Sequence, residues 1–217
     1  MPVYEGTIPS INMEQVREYA QRGQGDADDA VVSEACTTVL RLAAPKGVFQ
    51  QGYYDAASHH ILCSAPFKLK SEQIVPYLEQ ARILLMAAVT IGPAVEEEID
   101  KRFLNQDVAG GIVLDSAAAV ATGQLLDQLT HHINEICEPK GYKILWRVSP
   151  GTADWPIGQQ MDLANAAGGG QIGLAVTAGG MLSPRKTLTA LFGLVPTEEG
   201  CGGSCSSCSM SGCCGSC

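Results

Sequence analysis

The 217-residue chain lacks an uninterrupted apolar run of the roughly 18 residues that a membrane span requires. Its start also lacks the basic segment and apolar run of a secretion signal, so the cytoplasm is the expected compartment. The formal net charge of −9 argues against nucleic acid or an anionic membrane as partner, because both attract basic surfaces. We find no Ser/His/Asp set, phosphate-binding loop or dinucleotide fingerprint.

Apolar residues make up 46% of the chain, which is typical of a globular protein with its own core. We predict that residues 81–199 form this core and that residues 1–80 add a helical and hairpin part to the same domain. Residues 200–217 contain only Cys, Gly and Ser apart from Met210, so they are predicted to be a separate tail.

The pattern of apolar residues mixes helical segments with strands that are not adjacent in sequence, which predicts an α+β fold with an antiparallel or mixed sheet. Strands are predicted at residues 48–55, 60–64, 142–148, 172–177 and 188–194. Core helices are predicted at residues 78–91 and 116–137. Asp115 is expected to cap the second of these helices rather than to act in catalysis.

Residues 147–156, RVSPGTADWP, are the most informative stretch. Arg147 follows a strand-like segment and precedes a Ser-Pro-Gly turn, where Pro150 and Gly151 should leave backbone polar groups unpaired. A planar guanidinium beside free backbone groups suits a ligand that carries a carboxylate and an adenine-like edge. The alternative is an ordinary surface turn with an exposed arginine.

The segments around this turn support the first interpretation. They read VTIG at 89–92, IVLDSAAAV at 112–120, WPIGQQ at 155–160, IGLAVT at 172–177 and MLSPRKTLTALFG at 181–193. This ordered series resembles the reactivation domain of cobalamin-dependent methionine synthase, in its free-standing small-protein form, over roughly residues 80–196. The resemblance implies a curved sheet packed with helices, and a shallow groove that binds S-adenosylmethionine.

The resemblance also implies which residues bind the ligand. Arg147 and Gly151 fall on the family's Arg-x-x-x-Gly motif, in which the arginine meets the ligand carboxylate. Ser149, in the same loop, would contribute backbone hydrogen bonds. Phe192 falls in a later segment, where an aromatic ring packs on the ligand.

Two departures from the family pattern affect the expected site. Thr152 stands where the family has a tyrosine that closes over the ligand. Gly123 or Thr122 stands where the family often has a glutamate that could pair with the amino or sulfonium charge. Loss of an opposite charge weakens the binding of a cation, so affinity for S-adenosylmethionine is expected to be reduced.

The tail is a second chemical candidate, because six of the nine cysteines lie in its last 17 residues. Four thiolates at such short spacings can hold an iron–sulfur cluster or zinc, and the alternative is a disordered tail that oxidises easily. The predicted ligands are Cys201, Cys205, Cys208, Cys213, Cys214 and Cys217. The other three cysteines, Cys36, Cys63 and Cys137, are expected to be buried as small hydrophobic residues.

Two functions follow from these features. In the first, the chain is an accessory protein that presents S-adenosylmethionine to cobalamin held by a corrinoid-binding methyltransferase, with a flavodoxin- or ferredoxin-type protein as electron donor. In the second, the tail carries a cluster or metal, and the chain is an electron-transfer protein on a degenerate scaffold of the same fold.

Overall fold

The computed structural model describes residues 3–22, 28–177 and 179–197, and these form an α+β fold around one antiparallel sheet. The predicted fold class is confirmed. The helices are α1 (Met13–Arg22), α2 (Asp29–Leu42), α3 (Val75–Gln80), α4 (Ala94–Leu104), α5 (Val108–Cys137) and α6 (Gln160–Ala167). The strands are β1 (Tyr4–Glu5), β2 (Lys46–Asp55), β3 (His60–Leu62), β4 (Phe67–Lys68), β5 (Ile83–Thr90), β6 (Tyr142–Val148), β7 (Ala175–Val176), β8 (Leu182–Ser183) and β9 (Thr187–Pro196).

The seven strands of the main sheet run in the order β4-β3-β2-β5-β9-β6, with β1 paired to the start of β2. Every pair is antiparallel. Strands from residues 1–80 and from the later part of the chain therefore share one sheet. The short strands β7 and β8 pair with each other in a separate ribbon.

The core helix predicted at residues 78–91 is wrong. Most of this segment forms strand β5. Its side chains alternate between two cores: Leu85, Ala87 and Val89 pack on one face of the sheet, and Leu84, Met86 and Ala88 on the other. A strand buried on both faces has a continuous apolar sequence, so periodicity cannot distinguish it from a buried helix. The short helix α3 ends before this strand begins.

Strand β9 lies between β5 and β6 and pairs with both. It confirms the strand predicted at residues 188–194. Phe192 faces the core on the α5 side, whereas Leu191 faces the opposite core. Gly193 lies directly under the indole of Trp146 on β6, which occupies the space that a Cβ atom would need. Glycine at this position allows the tryptophan to pack flat on the sheet.

Helix α5 is one continuous helix of 30 residues, and it includes the segment before the predicted start at residue 116. Asp107, not Asp115, caps it: the Asp107 carboxylate accepts a hydrogen bond of 3.0 Å from the Gly110 N–H. Asp115 lies inside the helix and forms an ion pair with Lys186 at 2.8 Å. By length and composition α5 could cross a membrane, yet most of its apolar stretch is buried inside the fold, as in a core helix.

The strand predicted at residues 172–177 is reduced to the two residues of β7. The segment before it, Gly169–Ile172, forms a 3-10 helix. Gly173 then adopts a left-handed conformation with φ +81°, which ends the helical turn and delays the extended segment.

Candidate ligand-binding groove

A groove follows the exposed face of α5, and we call it the α5 groove. It consists of three adjoining depressions of about 270, 230 and 530 Å³. The first and second share Tyr19, Ala119 and Gly123 in their walls, and the second and third share Gln124 and Asp127. Neighbouring depressions share wall residues, so they lie side by side along α5, and the largest is of the size that small-molecule ligands occupy.

Different elements form the opposite wall along the length of the groove. The first depression, its β9 end, is bounded by residues 185–188 at the start of β9. The middle part is bounded by Gln15, Glu18 and Tyr19 of α1. The third part lies between Tyr4 and Thr7 on one side and the C-terminal half of α5 on the other.

Arg147 on strand β6 does not line the groove, but it contacts Asp127, which does. Its Nη1 donates to the Asp127 carboxylate at 2.7 Å and to the Thr130 hydroxyl at 3.1 Å, both on α5. The Arg147 side chain is 38% exposed, and its Nε and Nη2 groups donate to no other residue in the described part of the chain. Part of the guanidinium therefore remains available to a ligand beside Asp127.

The turn after β6 differs from the prediction in its hydrogen bonds. Gly151 has φ +95°, a conformation that favours glycine, but its N–H donates to the Trp155 carbonyl at 2.8 Å. The Thr152 N–H donates to the Ser149 carbonyl at 3.1 Å. The backbone N–H of Gly151, predicted to be free, is therefore satisfied within the turn.

The turn is also tied to its surroundings by two polar side chains that we did not single out from the sequence. Asp154 accepts hydrogen bonds from the Ser71 hydroxyl and from the Glu72 N–H at 2.9 Å. The hydrogen bond from Ser71 lowers the pKa of the Asp154 carboxyl most, and hydrogen bonds from backbone N–H groups lower it further. Gln159 is buried, and its Oε1 accepts the indole N–H of Trp155 at 3.0 Å. These bonds hold the turn against residues 68–72.

Phe192 is not part of the groove. It is fully buried among the core residues under α5, directly across the ladder from Arg147. A side chain without exposed surface cannot pack on a ligand in the groove. The aromatic ring that lines the β9 end and the middle part is Tyr19, which is 48% exposed.

Thr122 and Gly123, the two candidates for the position at which the family often has a glutamate, differ in exposure. Thr122 is 2% exposed, and its hydroxyl bonds to the Ala118 carbonyl within the helix. Gly123 lines the groove, and a Cβ atom there would meet no other atom within 4 Å. The groove therefore has an open, uncharged position at Gly123, and the carboxylate of Asp127 lies one helical turn further along.

Gln124 and Asp127 are groove residues that the sequence analysis missed. The Gln124 side-chain oxygen is buried and has no hydrogen-bond partner in the described part of the chain. Gln124, Asp127 and Thr130 are spaced by three residues on α5, so they share a face. This polar stripe is the sequence pattern from which Gln124 and Asp127 could have been predicted as groove residues.

Within residues 3–22, 28–177 and 179–197, no three His, Cys, Asp or Glu side chains come together as metal ligands. The six tail cysteines lie outside the described residues, so the predicted cluster or zinc site stays a prediction. Cys36 is buried, whereas Cys63 and Cys137 are partly buried, and burial raises the pKa of all three thiols.

The described residues thus form an α+β protein with a ligand-sized groove beside an antiparallel sheet. No protein-family model matches the chain, and no curated protein matches it either. Its fold is similar to a solved structure of the MetH reactivation domain bound to AdoHcy, with a TM-score of 0.55 and 14% sequence identity. The match covers 89% of this chain and 78% of that chain. At this identity the similarity shows the fold alone.

Proposed function

We propose that this protein is an accessory factor for the reductive reactivation of a cobalamin-dependent methyltransferase, namely methionine synthase. In this role it binds S-adenosylmethionine in the α5 groove as the methyl donor, while the partner holds the cobalamin. One observation supports the proposal above others: a chain folded like the MetH reactivation domain has a groove lined by Asp127, and Arg147 donates to that carboxylate at 2.7 Å.

The groups that line the groove, together with Arg147 beside Asp127, fit the ligand. Arg147 offers free N–H donors to a carboxylate. Asp127 and Glu18 give the middle of the groove a negative charge, which suits the ammonium and sulfonium groups of S-adenosylmethionine. The unpartnered oxygen of Gln124 can accept a hydrogen bond from the ligand.

The start of β9 offers a second kind of contact. Strand β6 pairs with β9 only as far as Leu191, so residues 187–190 have no partner on that edge among the described strands. Leu188 from this edge lines the groove. Unpaired N–H and C=O groups of an edge strand can read the hydrogen-bonding edge of an adenine ring.

The chain's own contribution is to hold and orient the ligand. S-adenosylmethionine held by the chain would give its methyl group to the reduced cobalt of the partner and leave as S-adenosylhomocysteine, and a flavodoxin- or ferredoxin-type protein would supply the electron. Arg147 fixes the carboxylate end, and the groove stays open on its solvent side. A partner's corrin ring can therefore approach the methyl group from that side.

Binding is the first test. Replacing Arg147 by lysine should weaken S-adenosylmethionine binding by about 1–3 kcal/mol in calorimetry, because an ammonium cannot reproduce the planar fork. Arg17→Lys is the matched control: Arg17 pairs with Asp29 at 2.6 Å on the surface and does not line the groove. Equal affinity of both variants and the natural chain would refute the role of Arg147.

Reactivation is the second test. The purified chain is mixed with methionine synthase in its inactive Co(II) form, a flavodoxin-type reductant and S-adenosylmethionine, and methylcobalamin is followed by its visible absorbance. We expect methylcobalamin to form only when the chain is present, and more slowly with Arg147→Lys than with Arg17→Lys. If methylcobalamin does not form although the ligand binds, the proposed partner is wrong.

A further inference from the structure

We infer that a second pocket, at the C-terminal end of α5, binds a small amphipathic acid, that is, a molecule with an apolar body and one carboxylate. This end pocket lies between the last turn of α5 and the sheet, and its volume is about 370 Å³. It shares no lining residue with the α5 groove. The inference is therefore independent of the proposed function.

The path of the chain creates the end pocket. Helix α5 ends at Cys137, and a short 3-10 turn, Glu138–Lys140, follows it. The chain then turns at Gly141 and enters strand β6. An open space remains between the last turn of the helix and the strands beneath it.

Most of the wall of the end pocket is apolar. Side chains from the neighbouring strands β2, β5, β9 and β6 form its floor, on the face of the sheet that α5 covers elsewhere. The apolar lining residues are Phe49, Ile83, Leu85, Ile136, Tyr142 and Leu194. Contact of water with such walls is unfavourable, so an apolar body that displaces this water is stabilised.

Lys140 determines the charge of the ligand, because it is the only lining residue with a formal charge. The lysines that form ion pairs in the described part of the chain are Lys101 and Lys186, so the Lys140 ammonium is unpaired there. Burial raises the pKa of the Cys137 thiol in the same wall, and the positive charge of Lys140 opposes that rise, so the two groups are close. A carboxylate on the ligand would pair with Lys140, whereas an ammonium would be repelled.

A matched series of amphiphiles tests this chemistry. Octanoate, octanol and octylammonium share one apolar chain and differ in charge, and their binding to the full chain is measured by calorimetry. We expect saturable binding that is strongest for octanoate and weakest for octylammonium. Lys140→Gln should weaken octanoate roughly twofold to fivefold, because an exposed ion pair contributes little, and should leave octanol unchanged. Lys143→Gln is the matched control, because Lys143 is exposed nearby and does not line the end pocket.

Chemical modification locates the site. Cys137 and Cys63 are both partly buried, and burial raises the pKa of both thiols, but of the two only Cys137 lines the end pocket. Bound octanoate should slow the reaction of Cys137 with iodoacetamide and leave that of Cys63 unchanged, as peptide mass mapping can show. Cys137→Phe places a ring in the pocket and should abolish octanoate binding. Circular dichroism and thermal melts establish that each variant is folded.

The outcomes separate this ligand from other occupants. Equal affinity for the three amphiphiles, equal protection of the two cysteines, or no effect of Lys140→Gln would overturn the inference. If sedimentation shows a dimer that Cys137→Phe abolishes, a second copy of the chain fills the pocket and the inference is wrong. It is also wrong if octanoate binds only after residues 200–217 are removed. Because the two sites share no residue, failure to bind S-adenosylmethionine would overturn the proposed function and leave this inference standing.

Discussion

Replacing Gly123 by alanine should stabilise the protein. Gly123 lies in the interior of α5, where glycine costs roughly 0.5–1 kcal/mol relative to alanine because the unfolded chain loses more backbone freedom. The added Cβ would meet no other atom within 4 Å, so no clash offsets the gain. In a domain of this size, about 1 kcal/mol raises the melting temperature by about 2–4 °C, so we expect a rise of roughly 1–4 °C.

Thermal and urea unfolding followed by circular dichroism measure this change. Gly193→Ala is the matched contrast, because its Cβ would run into the Trp146 indole. Overpacking of that kind destabilises by about 1–3 kcal/mol, so the two Gly-to-Ala changes should have opposite signs. A Gly123→Ala variant that is less stable than the natural chain would refute the open space beside α5.

Three further changes test the residues around the turn and the core. Because the pKa of Asp154 is lowered, its contribution to stability is present at neutral pH and is lost as the pH falls through that pKa. Asp154→Asn should therefore lower the melting temperature at pH 7 and match the natural chain in strong acid. A constant difference at all pH values would contradict this. Gln159→Leu removes the buried acceptor of the Trp155 indole N–H and the Lys70 backbone N–H. The free energy of unfolding in urea should fall by roughly 2–3 kcal/mol. An unchanged free energy would show that these bonds contribute nothing net. Cys36 is buried with a raised pKa, so it should resist iodoacetamide at pH 8 until the protein unfolds, as peptide mass mapping can check.

The elements with a clear one-sided pattern could be predicted from the sequence. Strand β6 alternates along its length between more and less exposed side chains, which is the signal of a half-buried strand. The hairpin of β2 and β3 was found because the polar turn between them separates two β-rich runs. The fold class followed from the order of such elements and from the family resemblance.

The central strand and the groove could not be predicted in the same way. Strand β5 is apolar on both faces, so its sequence carries no period. The predicted backbone site at Gly151 depended on the turn being open, but the Trp155 carbonyl closes it. The contact of Arg147 with Asp127 joins a strand to a helix 20 residues earlier, and no local pattern specifies such a pair.

The α5 groove has a carboxylate one helical turn beyond Gly123. In the family that the sequence resembles, a glutamate near this position could pair with the positive groups of the ligand. On an α-helix a residue four positions later lies on the same face, about 6 Å further along the axis. Asp127 occupies that place relative to Gly123, and it lines the groove while contacting Arg147. The wall of the groove therefore carries a negative charge one turn beyond Gly123, and this charge is paired with the guanidinium of Arg147.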